Sequence, residues 1–174
     1  QYTYDAKGNV IKTESVAKDD GVLSYVTENQ YDSLGRLRRV SRPSTHEEYG
    51  YDAVGNRTGV KDGNDNWTYY QYNSLGWLTG ILDPLNNLTK YQYDLNGNQV
   101  KLIAANDRPD NRMVTSNYYD ELNRIYKTID TLGKATMVGY DLNGNRSQMV
   151  DRHGSTWEYQ YEDNNLLKRL EVKN

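Results

Sequence analysis

The sequence predicts an all-β chain. It reads as tandem β-hairpin repeats of about 21 residues that build a long, curved or spiralling antiparallel sheet. Three observations carry this expectation. A Tyr-Asp-x-x-Gly-Asn signature recurs along the whole chain. A second turn signal follows most copies eleven residues after the tyrosine. Between the turns, segments rich in Tyr, Val, Thr and Ile alternate with period two, as in Trp67-Thr68-Tyr69-Tyr70-Gln71-Tyr72.

The signature has eight copies, with tyrosines at Tyr4, Tyr31, Tyr51, Tyr72, Tyr93, Tyr119, Tyr140 and Tyr161. The best kept are Tyr51-Asp52-Ala53-Val54-Gly55-Asn56, Tyr93-Asp94-Leu95-Asn96-Gly97-Asn98 and Tyr140-Asp141-Leu142-Asn143-Gly144-Asn145. The last copy, Tyr161-Glu162-Asp163-Asn164-Asn165-Leu166, is the most decayed. Successive tyrosines stand 27, 20, 21, 21, 26, 21 and 21 residues apart, which is one period with two insertions. The second turn starts at Asp62, Asp83, Asp130 and Asp151, with Arg42 in that place in the second repeat. In the first and fifth repeats it is displaced, towards Asp20-Gly21 and Asp107-Arg108-Pro109-Asp110, so both insertions fall in this turn. Residues 13–24 and 104–116 are therefore where something particular to this chain is expected.

The turn chemistry follows from the residue types. An Asp or Asn at the first position accepts hydrogen bonds from backbone amides two residues on. Gly, or Asn at Asn123 and Asn165, supplies the left-handed conformation that closes a type I turn with a bulge. If each tyrosine pairs with the residue five later, its face also holds Tyr2, Tyr49, Tyr70, Tyr91 and Tyr159. The residues nine after the signature tyrosines join them: Val40, Val60, Ile81, Leu102, Met149 and Leu170, with Thr13 and Thr128 as exceptions. The opposite face carries Gln71, Gln92, Gln160, Arg39, Lys101 and Lys127. One face is thus tyrosine and aliphatic, the other amide and charge. A lone hairpin of this size is marginal, so stability must come from stacking repeats on one another. A meander of about sixteen strands would coil or close under strand twist.

Composition fits a thin sheet. Charged residues make up 26% of the 174, and the net charge is only −3, which opposes disorder by self-repulsion. Seventeen tyrosines and three tryptophans stand against no phenylalanine, and tyrosine buries a ring while keeping a polar handle. A pI near 5.4 argues against nucleic acid as a partner. The cluster Arg36, Arg38, Arg39 and Arg42 reads as a solvated strand face. No run of about 18 apolar residues suggests a membrane span, and no signal peptide opens the chain. Cysteine is absent, which excludes disulfides and thiolate metal sites. Gln1 starts in mid-pattern, so residues 1–174 are expected to be one array of about eight repeats within a larger protein.

The Tyr-Asp-x-x-Gly-Asn units with this period resemble the YD repeats of the Rhs family, from Tyr2 to about Leu170. That family includes bacterial polymorphic toxins, wall-associated proteins, the C components of insecticidal toxin complexes and the teneurins. The resemblance implies a segment of a hollow β-sheet shell in a secreted or cell-surface bacterial protein. Its partners would be an enclosed cargo or toxin polypeptide of the same full-length chain, or neighbouring shell repeats. It also leaves open a cell-surface adhesion or carbohydrate-binding module with glycan partners. Toxin members self-cleave at an Asp-Pro-x-Gly motif. The one Asp-Pro here, Asp83-Pro84-Leu85-Asn86, lacks the glycine and sits in an ordinary second turn, so no protease role is carried over to it.

The residues point to no enzyme and to no catalytic, cofactor-binding or metal site. Asp141-Leu142-Asn143-Gly144-Asn145 imitates the start of a calcium loop, but the twelfth position is Arg152 rather than a bidentate Glu. Glu47-Glu48 and Asp19-Asp20 are adjacent on strands and so point to opposite faces. His46 and His153 are each expected in a surface turn. Trp67, Trp77 and Trp157 have the right chemistry to stack on pyranose rings, although packing the sheet is the simpler role. Sequons begin at Asn56, Asn66, Asn87 and Asn145 and matter only in a secreted eukaryotic setting.

Overall fold

The computed structural model describes residues 1–16, 23–105 and 112–173. The displaced turns near Asp20-Gly21 and Asp107–Asp110, and the Asp19-Asp20 pair, lie outside the described residues. Among the described residues the chain forms sixteen strands and no helix. They fall into two units, Gln1–Asn86 and Asn87–Asn174.

The first unit holds β1 (Tyr2–Tyr4), β2 (Val10–Val16), β3 (Leu23–Tyr31), β4 (Leu37–Arg42), β5 (Thr45–Tyr51), β6 (Arg57–Lys61), β7 (Trp67–Tyr72) and β8 (Leu78–Leu82). The second holds β9 (Leu88–Tyr93), β10 (Gln99–Ala105), β11 (Arg112–Tyr119), β12 (Ile125–Ile129), β13 (Ala135–Tyr140), β14 (Arg146–Val150), β15 (Thr156–Tyr161) and β16 (Leu167–Lys173). Within each unit every strand pairs antiparallel with its neighbours in sequence. Each strip therefore has all signature turns along one edge and all second turns along the other. The units also repeat each other. Tyr93 stands 89 residues after Tyr4, Tyr119 stands 88 after Tyr31, and Tyr140 and Tyr161 stand 89 after Tyr51 and Tyr72. The second hairpin of each unit has long strands: β2, β3, β10 and β11 have seven to nine residues where β6 and β8 have five.

The register differs from the expected one by a single residue. Tyr31 faces Leu37 and Tyr51 faces Arg57, six residues on rather than five, with a bulge immediately beyond. The cause is the left-handed residue that closes the turn, which adds one residue to the returning strand. The bulge then brings the offset to two residues, which returns the outer pairs to the expected face: Val40 lies opposite Asn29, Val60 opposite Tyr49 and Ile81 opposite Tyr70. The tyrosine-aliphatic face is therefore as the sequence implies. It is a shallow core. Val40, 7% exposed, is its most enclosed apolar side chain among the described residues.

Two other expectations need correction. Asp65 (φ 67°) and Asn86 (φ 63°) close their second turns, in addition to Asn123 and Asn165. In the turn at Asp62, glycine stands second instead of fourth, so Asp65 takes the left-handed place that Asp and Asn tolerate best after Gly. The second repeat uses only Pro43-Ser44 between paired Arg42 and Thr45, which accounts for its 20-residue spacing. That short turn ends early enough to place His46 in β5 rather than in a turn.

Tyrosine hydroxyls explain why phenylalanine does not stand at six of the signature positions. Tyr31, Tyr51 and Tyr72 donate to the backbone carbonyls of Val10, Leu37 and Arg57, at 3.0, 2.8 and 3.1 Å. Tyr119, Tyr140 and Tyr161 donate to Gln99, Ile125 and Arg146, at 3.0, 2.8 and 3.0 Å. Each acceptor is the residue opposite the signature tyrosine of the preceding repeat. The ring packs the face and the hydroxyl locks one repeat to the one before it. Phenylalanine would keep the first role and lose the second.

Candidate functional site

The signature turns are hydrogen-bonding hubs. Asp52 Oδ1 accepts the backbone N–H groups of Val54 and Asn56, and Oδ2 accepts from the Asn56 side chain. The Asn56 side chain, against opposing desolvation and with help from backbone amides, holds the Asp52 carboxyl below its usual range. Asn73 performs the same task without a charge, accepting from Leu75 and Trp77 at 3.0 and 2.9 Å. Neighbouring hubs also touch. Asn98 and Asn145 donate to the side-chain oxygens of Asn123 and Asn165, while Arg36 reaches the Asp52 carbonyl and covers the Tyr51 ring at 4.6 Å. Asp141 is held in the same way: Oδ1 accepts from the amides of Asn143 and Asn145, and Oδ2 from the Asn145 side chain. Its oxygens close a turn.

The other acidic and basic candidates are spent on one another. Glu47 accepts from Arg42 at 2.7 Å and from the Tyr49 hydroxyl at 2.6 Å, and these bonds, Tyr49's first, hold its carboxyl below its usual range. Glu48 meets Arg39 at 3.6 Å from the opposite face, and Arg36 meets Asp32 at 2.7 Å. The arginine run at 36–42 is thus largely paired. His46 lies 3.3 Å from Asp65 and 3.6 Å from Glu48, and Lys61 lies 2.7 Å from Asp65. His153 sits in its turn, with its amide on Asp151.

Trp67 stacks on Tyr69, with centroids 5.7 Å apart and planes 12° apart, and it lies over Gly59. A Cβ at Gly59 would come within 2.9 Å of the indole, so the glycine leaves room for the ring. Both rings lie on the face expected to hold only amides and charges, because alternation along β7 sends Trp67, Tyr69 and Gln71 to the same side. Trp77 follows a signature turn, and Trp157 stands opposite Met149 and Val172 in the other unit.

One concave feature on the second face went unread in the sequence. A cleft of 340 Å³ is bounded by Gln92, Asp94, Lys101, Ser116, Tyr118 and Tyr126, among others. Tyr118 and Tyr126 stand 6.4 Å apart at 56°, and the Lys127 ammonium is 5.5 Å from the Tyr118 ring. Beside it, Leu88, Lys90, Ile103 and Arg112 line a smaller hollow of 130 Å³. The readable signal was a lack of acid: β9, β10, β11 and β12 contain no Asp or Glu.

Hairpins with two turn types, joined repeat to repeat by tyrosine hydroxyls, define a tandem β-repeat protein. The family model described as RHS Repeat matches residues 31–66 and 72–109. Those two stretches thus carry RHS repeats, and the structures below share the chain's fold. The crystal structure of TcdB2-TccC3 shares its fold at TM-score 0.72 and 11% identity, over 98% of this chain and 11% of that one. The Tc holotoxin pore of Photorhabdus luminescens matches at TM-score 0.70 and 12% identity, over 95% of this chain and 10% of that one. TcdB2-TccC3 without its hypervariable C-terminal region matches at 0.62 and 12%, over 99% and 12%. The chain spans about a tenth of the length of these structures. Comparison with curated proteins gives no match.

Proposed function

We propose that this chain is a wall segment of a curved or spiralling YD-repeat shell in a secreted or injected bacterial protein, and that the shell encloses a cargo or toxin polypeptide of the same full-length chain. The carrying observation is the repeat-to-repeat lock, seen six times in one form. Such a junction adds repeats without a new packing problem, which is what a continuous wall requires. The shared fold with the TcdB2-TccC3 structures supports this reading. Sequestering a cargo asks little of specific chemistry: the wall must be continuous, water-tolerant and slow to open. Paired charges such as Arg42–Glu47 and Lys61–Asp65 suit that task, because they leave little to grip the contents.

Limited proteolysis of the full-length protein tests this. Non-repeat sequence inside the shell should resist protease until the repeats unfold, and should then be digested together with them. Loss of all non-repeat sequence while the repeats stay intact would refute enclosure.

A further inference from the structure

Unpaired cations and aliphatic side chains share the second face of β9–β12. Lys101 stands opposite both Gln92 and Ser116, and Tyr118 stands opposite Lys127. Directly opposed residues share a face, and so do residues two or four apart on one strand. Lys90 and Arg112 therefore lie on that face as well. None of these four cations has a carboxylate partner among the described residues, whereas Arg39, Arg42, Lys61, Arg124 and Lys173 all do. Four unopposed like charges repel within the folded state and stabilise nothing there. The acid beside the cleft, Asp94, spends its carboxylate on its own turn, accepting from Asn96 and Asn98.

The aliphatic groups are interleaved with the charges. Ile103 stands opposite both Lys90 and Val114, and Ile129 stands opposite Ser116. Two aliphatic side chains, Leu88 and Ile103, and two cationic ones, Lys90 and Arg112, line the hollow of 130 Å³. An apolar cavity of about 150 Å³ holds a benzene-sized group, so this hollow has the size of one aliphatic side chain. The 340 Å³ cleft lies two residues further along the strands, roughly 7 Å away, and Lys101, Tyr118 and Tyr126 help to wall it. Six signature tyrosines donate to backbone carbonyls, but Tyr118 and Tyr126 make no hydrogen bond among the described residues. In an extended peptide, side chains that follow one another on the same face are also about 7 Å apart.

We propose that this face docks an extended polypeptide segment of a partner protein, one whose facing side chains alternate between apolar and acidic. An aliphatic side chain of the guest enters the hollow between Leu88 and Ile103. The carboxylates two residues to either side of it reach Arg112 and Lys101. A further carboxylate enters the cleft, where Lys127 and the hydroxyls of Tyr118 and Tyr126 donate to it. The first unit already holds a carboxylate in this way: Glu47 accepts from the Arg42 guanidinium and from the Tyr49 hydroxyl. Charge-assisted bonds of this kind are about twice as strong as neutral ones. A nucleic-acid strand would match the cations but leave the aliphatic hollow empty. Its successive bases also need rings they can stack on, and Tyr118 and Tyr126 are tilted by 56°. The inference does not depend on the strip closing into a shell.

Fluorescence anisotropy of the 174-residue chain with a labelled peptide that repeats Glu-Ser-Leu-Ser tests this. When extended, that peptide sets glutamate and leucine alternately on one face. It should bind, and versions with Gln for Glu or Ser for Leu should bind about tenfold more weakly. Lys101→Gln with Lys127→Gln should weaken binding of the parent peptide by about tenfold at an unchanged urea midpoint. Ile103→Thr should weaken the parent peptide and leave the Ser-for-Leu version unaffected, which separates loss of the hollow from loss of the fold. Arg152→Gln with Lys173→Gln, at cations already paired with Asp130 and Glu158, should leave binding intact. No binding, equal binding of either altered peptide, or no loss in the double lysine variant overturns the proposal. Oligothymidylate binding as tightly as the parent peptide also overturns it and marks a surface that reads charge alone.

Discussion

Replacing Tyr51 with phenylalanine isolates the lock between repeats. The ring stays, so no cavity forms, and the Arg36 guanidinium still covers it. What is lost is one 2.8 Å bond from the hydroxyl to the half-buried Leu37 carbonyl. A typical hydrogen bond contributes about 1 kcal/mol net, and the orphaned carbonyl sets the cost at that level. Tyr119 provides the internal comparison. Its acceptor, the Gln99 carbonyl, also takes the Asn117 side chain at 3.2 Å, so Tyr119→Phe leaves the carbonyl with a donor and should cost about half as much. With a urea slope of about 2 kcal/mol/M, the midpoint should fall by roughly 0.5 M for Tyr51→Phe and roughly 0.25 M for Tyr119→Phe. Repeat arrays can unfold in pieces, so amide exchange should also show the loss concentrated at the β4–β5 junction. An unchanged midpoint for Tyr51→Phe, or a larger fall for Tyr119→Phe, would refute the lock.

Three further outcomes are expected. Gly97 sits at φ 88°, so Gly97→Val should destabilise the array by about 1 kcal/mol or more, read as a lower urea midpoint; an unchanged midpoint would sink the turn assignment. Gly59→Ala should displace the Trp67 ring and cost about 1–3 kcal/mol, accompanied by a shift in tryptophan emission; unchanged emission and stability would mean the indole does not rest on that glycine. The carboxyls of Asp5, Asp32, Asp52, Asp94 and Asp120 are held below their usual range by turn hydrogen bonds, so their stabilisation is full above about pH 4 and is lost as pH falls through the lowered folded values. Amide exchange at pH 3, corrected for intrinsic rates, should then show the Asp52 turn opening while the uncharged Asn73 turn keeps its protection, and Asp52→Asn should remove the difference; equal opening of the two turns would contradict this.

Most of the fold was legible because it repeats. One turn chemistry read eight times leaves little freedom, and alternation placed Val40, Val60 and Ile81 on the tyrosine face correctly. The one-residue register offset was hidden because a bulge at Tyr31 or Tyr51 leaves no mark in composition. The handedness of Asp65 was masked by Gly63, a better candidate two places too early. The basic face escaped for a different reason. Lys90, Lys101, Arg112 and Lys127 are 11, 11 and 15 residues apart, so only strand pairing brings them together. The run Arg36–Arg42 drew notice by being contiguous, and the structure shows most of it neutralised by Asp32, Glu47 and Glu48. Contiguity in sequence is a poor guide to free charge in a meander, where the strand opposite supplies the counter-ion.

The tyrosine lock also has a direction. In every junction described, the later repeat brings the donor and the earlier one already holds the acceptor. Each finished hairpin thus displays a waiting carbonyl, and each newly made one arrives with the hydroxyl that fits it. A chain leaving the ribosome N-terminus first can set its repeats one by one, each against a neighbour that is already formed. No repeat needs a later one before it can settle, so the strip is suited to assembly at the pace of translation.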